Sequence, residues 1–68
     1  MQLRFIVSSS DDGQCPSIYE TDRDTFVVQG MGVTTPETIA QARNLLDGEA
    51  FVEVPKELVR RIQALPRF

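Results

Sequence analysis

Four prolines constrain this chain more tightly than any other residue type. A proline has no N–H to give to a ladder or a helix and holds φ near −65°, so a regular element starts, stops or runs along an edge wherever one occurs. Pro16 fits only the start or edge of a strand, and Pro36 fits the first turn of a helix. Pro55 closes a strand and opens a second helix, and Pro66 stops that helix.

The elements are read between these marks. Leu3, Phe5 and Val7 alternate with Arg4, Ile6 and Ser8, a period of two that predicts a first strand with Leu3, Phe5 and Val7 facing inward. Ser8 to Gln14 has no apolar anchor and reads as a loop. Ser17–Thr21 and Thr25–Met31 are β-rich, and the polar Asp22-Arg23-Asp24 between them signals a hairpin. Gly30 and Gly32, two apart, mark a bulge, a sharp bend, or a place where another segment lies close against the sheet. Thr34-Thr35-Pro36-Glu37 predicts a helix start, with Thr35 as N-cap, Pro36 at the first helical position and Glu37 complementing the positive helix end. Ile39, Ala42 and Leu46, with Leu45 beside them, extend the expected helix from about 36 to 46, and Asp47-Gly48 ends it. Ala50, Val52 and Val54 share one face of a further strand. Leu58, Ile62 and Leu65, flanked by Val59, form the apolar stripe of the last helix.

The expected fold is α+β: one small domain over residues 1–68, a mostly antiparallel sheet in the order β-β-β-α-β-α, with helices on one face. At 68 residues such a core rarely supplies more than about 3–5 kcal/mol, which leaves little room for a buried catalytic cleft. The chain has no His, so the commonest general base and metal ligand are missing. A single Cys can form neither an internal disulfide nor a thiolate metal site, and a reducing, cytoplasmic setting is expected. The longest apolar run, Phe5-Ile6-Val7, is far below the roughly 18 residues of a membrane span. The expectation is therefore a soluble chain that is not an enzyme, with no catalytic residue, no cofactor, no metal and no membrane contact.

Each residue that could carry chemistry also has a plainer role. Cys15 is the one soft nucleophile, yet no neighbour in sequence lowers its pKa, and a small buried hydrophobe is the expected role. Asp11, Asp12, Glu20, Asp22 and Asp24 lack the spacing of a calcium loop and read as solvated turns. Gly30-x-Gly32 lacks the third glycine of a dinucleotide fingerprint and the Lys-Ser/Thr of a phosphate loop.

Charge is segregated. The formal net charge is −3, but residues 1–55 hold 3 basic and 9 acidic side chains, whereas residues 56–68 hold 4 basic and 1 acidic. On a helix, Lys56, Arg60 and Arg67 project within about 60° of one another, opposite the apolar stripe, and Arg61 sits on the border. These four form the candidate interaction surface, for an acidic partner or for phosphates; complementing the dipole at a helix C-terminus is the plainer role.

The run Cys15-Pro16-Ser17-Ile18-Tyr19-Glu20-Thr21-Asp22-Arg23-Asp24-Thr25-Phe26-Val27-Val28-Gln29-Gly30, with Val33-Thr34-Thr35-Pro36-Glu37 and Val52-Glu53-Val54-Pro55, resembles a family of small uncharacterised actinobacterial proteins. They share the Cys-Pro start, the Thr-Asp-Arg turn and the Val-Val-Gln-Gly strand, often with Trp where this chain has Met31 and Gly where it has Asp24. The resemblance implies genes set beside helix-turn-helix regulators of the WhiJ and BldB type, and it brings no catalytic residue with it. The expected function is a small intracellular protein–protein interaction module, an accessory or antitoxin-like partner of a helix-turn-helix transcriptional regulator. Its working surface would be the sheet edge and the last helix, and the open edge also predicts a homodimer. The alternative is a nucleic-acid-binding accessory that uses the basic C-terminal helix, and a third reading is a Cys15-dependent enzyme.

Overall fold

A computed structural model of the chain describes residues 1–10 and 16–66. Cys15, Asp11, Asp12 and Arg67 lie outside the described residues. The fold is α+β, with elements in the order β1 (Leu3–Ser8), β2 (Ser17–Thr21), β3 (Phe26–Gln29), β4 (Met31–Val33), α1 (Pro36–Ile39), β5 (Phe51–Glu53) and α2 (Lys56–Gln63).

Two antiparallel sheets replace the single sheet expected from sequence: β1-β2-β3, and a separate pair β4-β5. The third predicted strand is therefore two strands, β3 and β4, meeting at Gly30, which adds one strand to the expected order. The physical reason is close approach. A Cβ on Gly30 would lie 2.7 Å from the Glu53 carbonyl oxygen and 2.8 Å from Val54 Cγ1, so only a residue without one lets the β5 segment come this near. Gly32 has no such role, since nothing lies within 4 Å of its Cβ position.

The β2–β3 hairpin turns through Asp22-Arg23-Asp24, and Asp24 takes a left-handed φ of 60°. A three-residue loop that ends on a left-handed residue is one of the common hairpin connections. The Thr21 hydroxyl holds the loop: it accepts from the backbone N–H groups of Arg23 at 3.0 Å and Thr25 at 3.3 Å, and lies 2.6 Å from the Thr25 hydroxyl. Thr21 is buried, so this polar atom is both shielded and satisfied.

Strand β1 departs from simple alternation. Phe5 pairs with Tyr19 and Val7 pairs with Ile18, so Ile6 is an extra residue in the ladder. A one-residue bulge reverses the phase of side chains beyond it. Val7 joins Ile18, Phe26 and Val28 on the face where α2 lies, while Leu3 and Phe5 turn to the opposite face and are half exposed. The expectation that Leu3, Phe5 and Val7 share one inward face is corrected by this bulge.

The first helix is also shorter than expected, ending at Ile39 and not near residue 46. Its start follows the sequence signal, with Thr35 in the N-cap position, Pro36 at the first turn and Glu37 within it, although the Thr35 side chain makes no capping bond. Beyond Ile39 the chain tightens into bonds from Gln41 N–H to the Thr38 carbonyl and from Ala42 N–H to the Ile39 carbonyl, and Asn44 turns left-handed at φ 48°. No residue of α1 is fully buried, and a short helix that buries so little does not propagate. Gly48, at φ 85°, serves a later turn closed by the bond from Glu49 N–H to the Leu46 carbonyl. Helix α2 starts directly after Pro55, and its Leu58 is fully buried, packing toward β1. No helix among the described residues is long and apolar enough to cross a membrane.

Candidate functional site

The basic residues of α2 separate into distinct roles. Arg61 is drawn inward: its Nη1 donates to the Ser8 carbonyl of β1 at 3.3 Å, and its Nε donates to Glu57 Oε2 at 3.1 Å. It acts as a tie between helix and sheet, consistent with its border position on the helical wheel. Arg60 points to solvent and lies 3.7 Å from Glu57 Oε1, a pairing that exposed geometry makes weak. Lys56 is exposed at the start of the helix. Of the four residues singled out from sequence, the structure thus leaves Lys56 and Arg60 facing outward together, fastens Arg61, and does not describe Arg67.

The acidic side chains are likewise dispersed. Glu20 pairs with Arg4 directly across the β1–β2 ladder, and Asp22 Oδ1 accepts from the Gln2 N–H at 3.1 Å. Among the described residues no three His, Cys, Asp or Glu side chains gather where they could hold a metal ion. Every buried side-chain nitrogen or oxygen among them has a hydrogen-bond partner. An open groove of about 480 Å³, lined by Thr34, Thr35, Thr38, Val52 and Glu53 among others, carries one carboxylate and no paired acid or base.

The feature that sequence reasoning missed is the distribution of apolar side chains. Only Ile18 and Leu58 are buried hydrophobic residues among those described. By contrast, Met1, Leu3, Phe5, Phe26, Val28, Met31, Leu46, Val52 and Val59 are each more than two-fifths exposed. Two apolar surfaces result. One is a cleft of about 180 Å³ between α2 and the sheet, lined by Ile18, Phe26, Val28 and Ile62 with no polar lining. The other is the opposite face of the three-stranded sheet, where Leu3, Phe5, Tyr19 and Val27 lie side by side. Phe5 and Tyr19 meet edge to face with ring centroids 6.0 Å apart, and the Tyr19 hydroxyl donates to Gln29 Oε1 at 2.7 Å. The signal available in the sequence was Ile6 beside Phe5 and Val7, a third apolar residue in a row that strict alternation does not need.

The molecule so defined is a small α+β chain with two short antiparallel sheets, little core and much outward apolar surface. No family model, curated protein or solved structure matches the chain.

Proposed function

We propose that this chain is a small cytoplasmic protein–protein interaction module that works by being bound, with no catalytic step of its own, as an accessory or antitoxin-like partner of a helix-turn-helix transcriptional regulator. One observation carries the reading: large apolar side chains on both sides of the β1-β2-β3 sheet remain in water while only two apolar residues are buried among those described. Single exposed apolar side chains are ordinary on a folded chain, but contiguous ones mark a contact surface. The resemblance to small proteins whose genes flank helix-turn-helix regulators supplies the class of partner. Nearby on α2, outward-facing Lys56 and Arg60 give that partner's acidic groups a place at the rim, where charge steers association more than it adds affinity.

Affinity purification of the tagged chain from its source cells tests the reading. A helix-turn-helix regulator retained in near-stoichiometric amount is the expected result. Recovery of a small ligand and no protein would overturn it. Salt-sensitive retention of duplex DNA, lost on Lys56→Glu with Arg60→Glu, would replace it with the nucleic-acid alternative.

A further inference from the structure

We infer that residues 43–50 are the place where an endopeptidase cuts this chain, and that the Arg43–Asn44 bond goes first under a protease that reads a basic side chain. The inference goes beyond the interaction-module reading and does not rest on it. In the step, water adds across the peptide bond: the C–N bond breaks, a C–O bond forms, and the products are a carboxylate on Arg43 and an ammonium group on Asn44.

Burial gives the first support. The fully buried residues among those described, Ser8, Ser17, Ile18, Thr21 and Leu58, all lie in β1, β2 or α2. From Met31 to Glu53 no residue is fully buried, and from Arg43 to Ala50 every residue is exposed, Leu45 and Leu46 included. A segment that buries so little opens at small cost while the rest of the fold stays closed. Exposed stretches of this kind are where proteolytic nicking concentrates.

Backbone bonding gives the second. A protease takes its substrate as an extended segment, so the chain around the cut must release the bonds it makes. Residues 43–50 belong to no helix or strand. Among the described residues, the stretch is held by the Glu49 N–H on the Leu46 carbonyl at 3.0 Å and the Leu46 N–H on Glu49 Oε1 at 2.9 Å. Both bonds lie beyond Arg43–Asn44 in the chain, and the nearest one before it is the Ala42 N–H on the Ile39 carbonyl at 3.0 Å.

The placement of the other basic residues gives the third. Arg4 lies within the β1–β2 ladder and pairs with Glu20 across it. The N–H of Arg23 is held by the Thr21 hydroxyl in the hairpin turn. Lys56, Arg60 and Arg61 belong to α2, which the buried Leu58 fastens toward β1. Among the described residues, Arg43 is therefore the basic residue that lies outside both the regular elements and the hairpin turn.

Limited digestion of the full chain with trypsin, followed by intact-mass spectrometry, tests this. The expected first products are residues 1–43 and 44–68. They should form about tenfold or more faster than cuts after Arg4, Arg23, Lys56 or Arg60, which wait for wider unfolding. A glutamate-specific endoprotease repeats the test with an unrelated side-chain preference: its cut after Glu49 should precede those after Glu20, Glu37, Glu53 and Glu57. Arg43→Gln, at an exposed position, should abolish the fast tryptic cut and keep the one after Glu49, with a melting temperature within about 2 °C of wild type. Cuts at comparable rates at every site would mean that cleavage follows global unfolding, and would overturn the inference. A first cut after Arg23 or Lys56 with trypsin, or after Glu37 or Glu57 with the second enzyme, would overturn it as well. Retention of a regulator is measured on the uncut chain, so failure of this inference and failure of the interaction-module reading are told apart.

Discussion

Replacing Gly30 by Ala adds one methyl group at the junction of the two sheets, and the outcome can be worked from the distances. The new Cβ would stand 2.7 Å from the Glu53 carbonyl oxygen, 2.8 Å from Val54 Cγ1 and 3.4 Å from Val52 Cβ. Comfortable carbon contacts begin near 3.5 Å, so two atoms must retreat by about 0.7 Å. Val54 is β-branched and stiff at χ1, and the carbonyl is backbone, so the demand falls on the β4–β5 pairing itself. That pairing consists of Met31 with Glu53, Gly32 with Val52 and Val33 with Phe51, and so it has little redundancy. Overpacking of this kind costs about 1–3 kcal/mol, offset by about 0.4–1 kcal/mol because alanine restricts the unfolded chain. The net loss of about 1–2 kcal/mol is a large share of the total for a core this small. It should lower the melting temperature by roughly 5–15 °C at this chain length. Thermal and urea melts followed by far-ultraviolet circular dichroism measure it, with Gly32→Ala as the matched control. Nothing lies within 4 Å of the Gly32 Cβ position, so that variant should melt at or slightly above wild type. A Gly30→Ala melting point within about 2 °C of wild type would refute the close approach, and an equal fall in both variants would show that glycine entropy alone is being read.

Three other substitutions probe the remaining supports. Leu58→Ala removes the one apolar side chain that is fully buried among the described residues, and a loss of about 2–5 kcal/mol, enough to abolish a cooperative melt, is expected. Thr21→Val keeps the volume but leaves the Arg23 and Thr25 N–H groups without the hydroxyl they share; a denaturant titration should show a loss of about 1–2 kcal/mol, and an unchanged midpoint would remove the hydroxyl from the hairpin's support. Asp24→Gly relieves a left-handed φ of 60° but adds unfolded-state freedom, so stability should change by less than about 1 kcal/mol, in contrast to Asp24→Val, which should lose about 1–2 kcal/mol or more. Calorimetry of the two side by side checks the sign.

How much was legible in the sequence depends on whether the signal was local. The hairpin at residues 22–24 and the starts of both helices follow from short-range chemistry: Thr21 and Asp24 shape the turn, and Pro36 and Pro55 fix where helices begin. Features that depend on packing were not. The stripe Ile39, Ala42, Leu45 and Leu46 has helical spacing, but Ile39 and Ala42 are only half-buried and Leu45 and Leu46 are exposed, so the pattern buries too little to propagate. The same limit applies to the basic face: helical angles placed Lys56, Arg60 and Arg61 correctly on α2, yet only the tertiary contact to the Ser8 carbonyl shows that Arg61 is engaged by β1. For Gly30 the sequence offered three meanings, and the distance to Glu53 selects close approach.

The bulge at Ile6 decides which side chains each face of β1 presents. Without the extra residue, a strict period of two would carry Leu3 and Phe5 to the same face as Val7, beneath α2, and the outer face of β1 would present Arg4 and Ile6. With it, Val7 goes to the helix side, Arg4 sits opposite Glu20 on that same side, and Leu3 and Phe5 go to the outside beside Tyr19. One residue therefore moves a charge off the outer face and two large apolar side chains onto it. That exchange weakens the isolated chain, because Leu3 and Phe5 remain about half exposed while the sheet side under α2 keeps an unfilled apolar cleft. A fold that leaves Leu3 and Phe5 half exposed while an apolar cleft stays open under α2 gives up burial in its own small core, and its margin of stability is correspondingly thin.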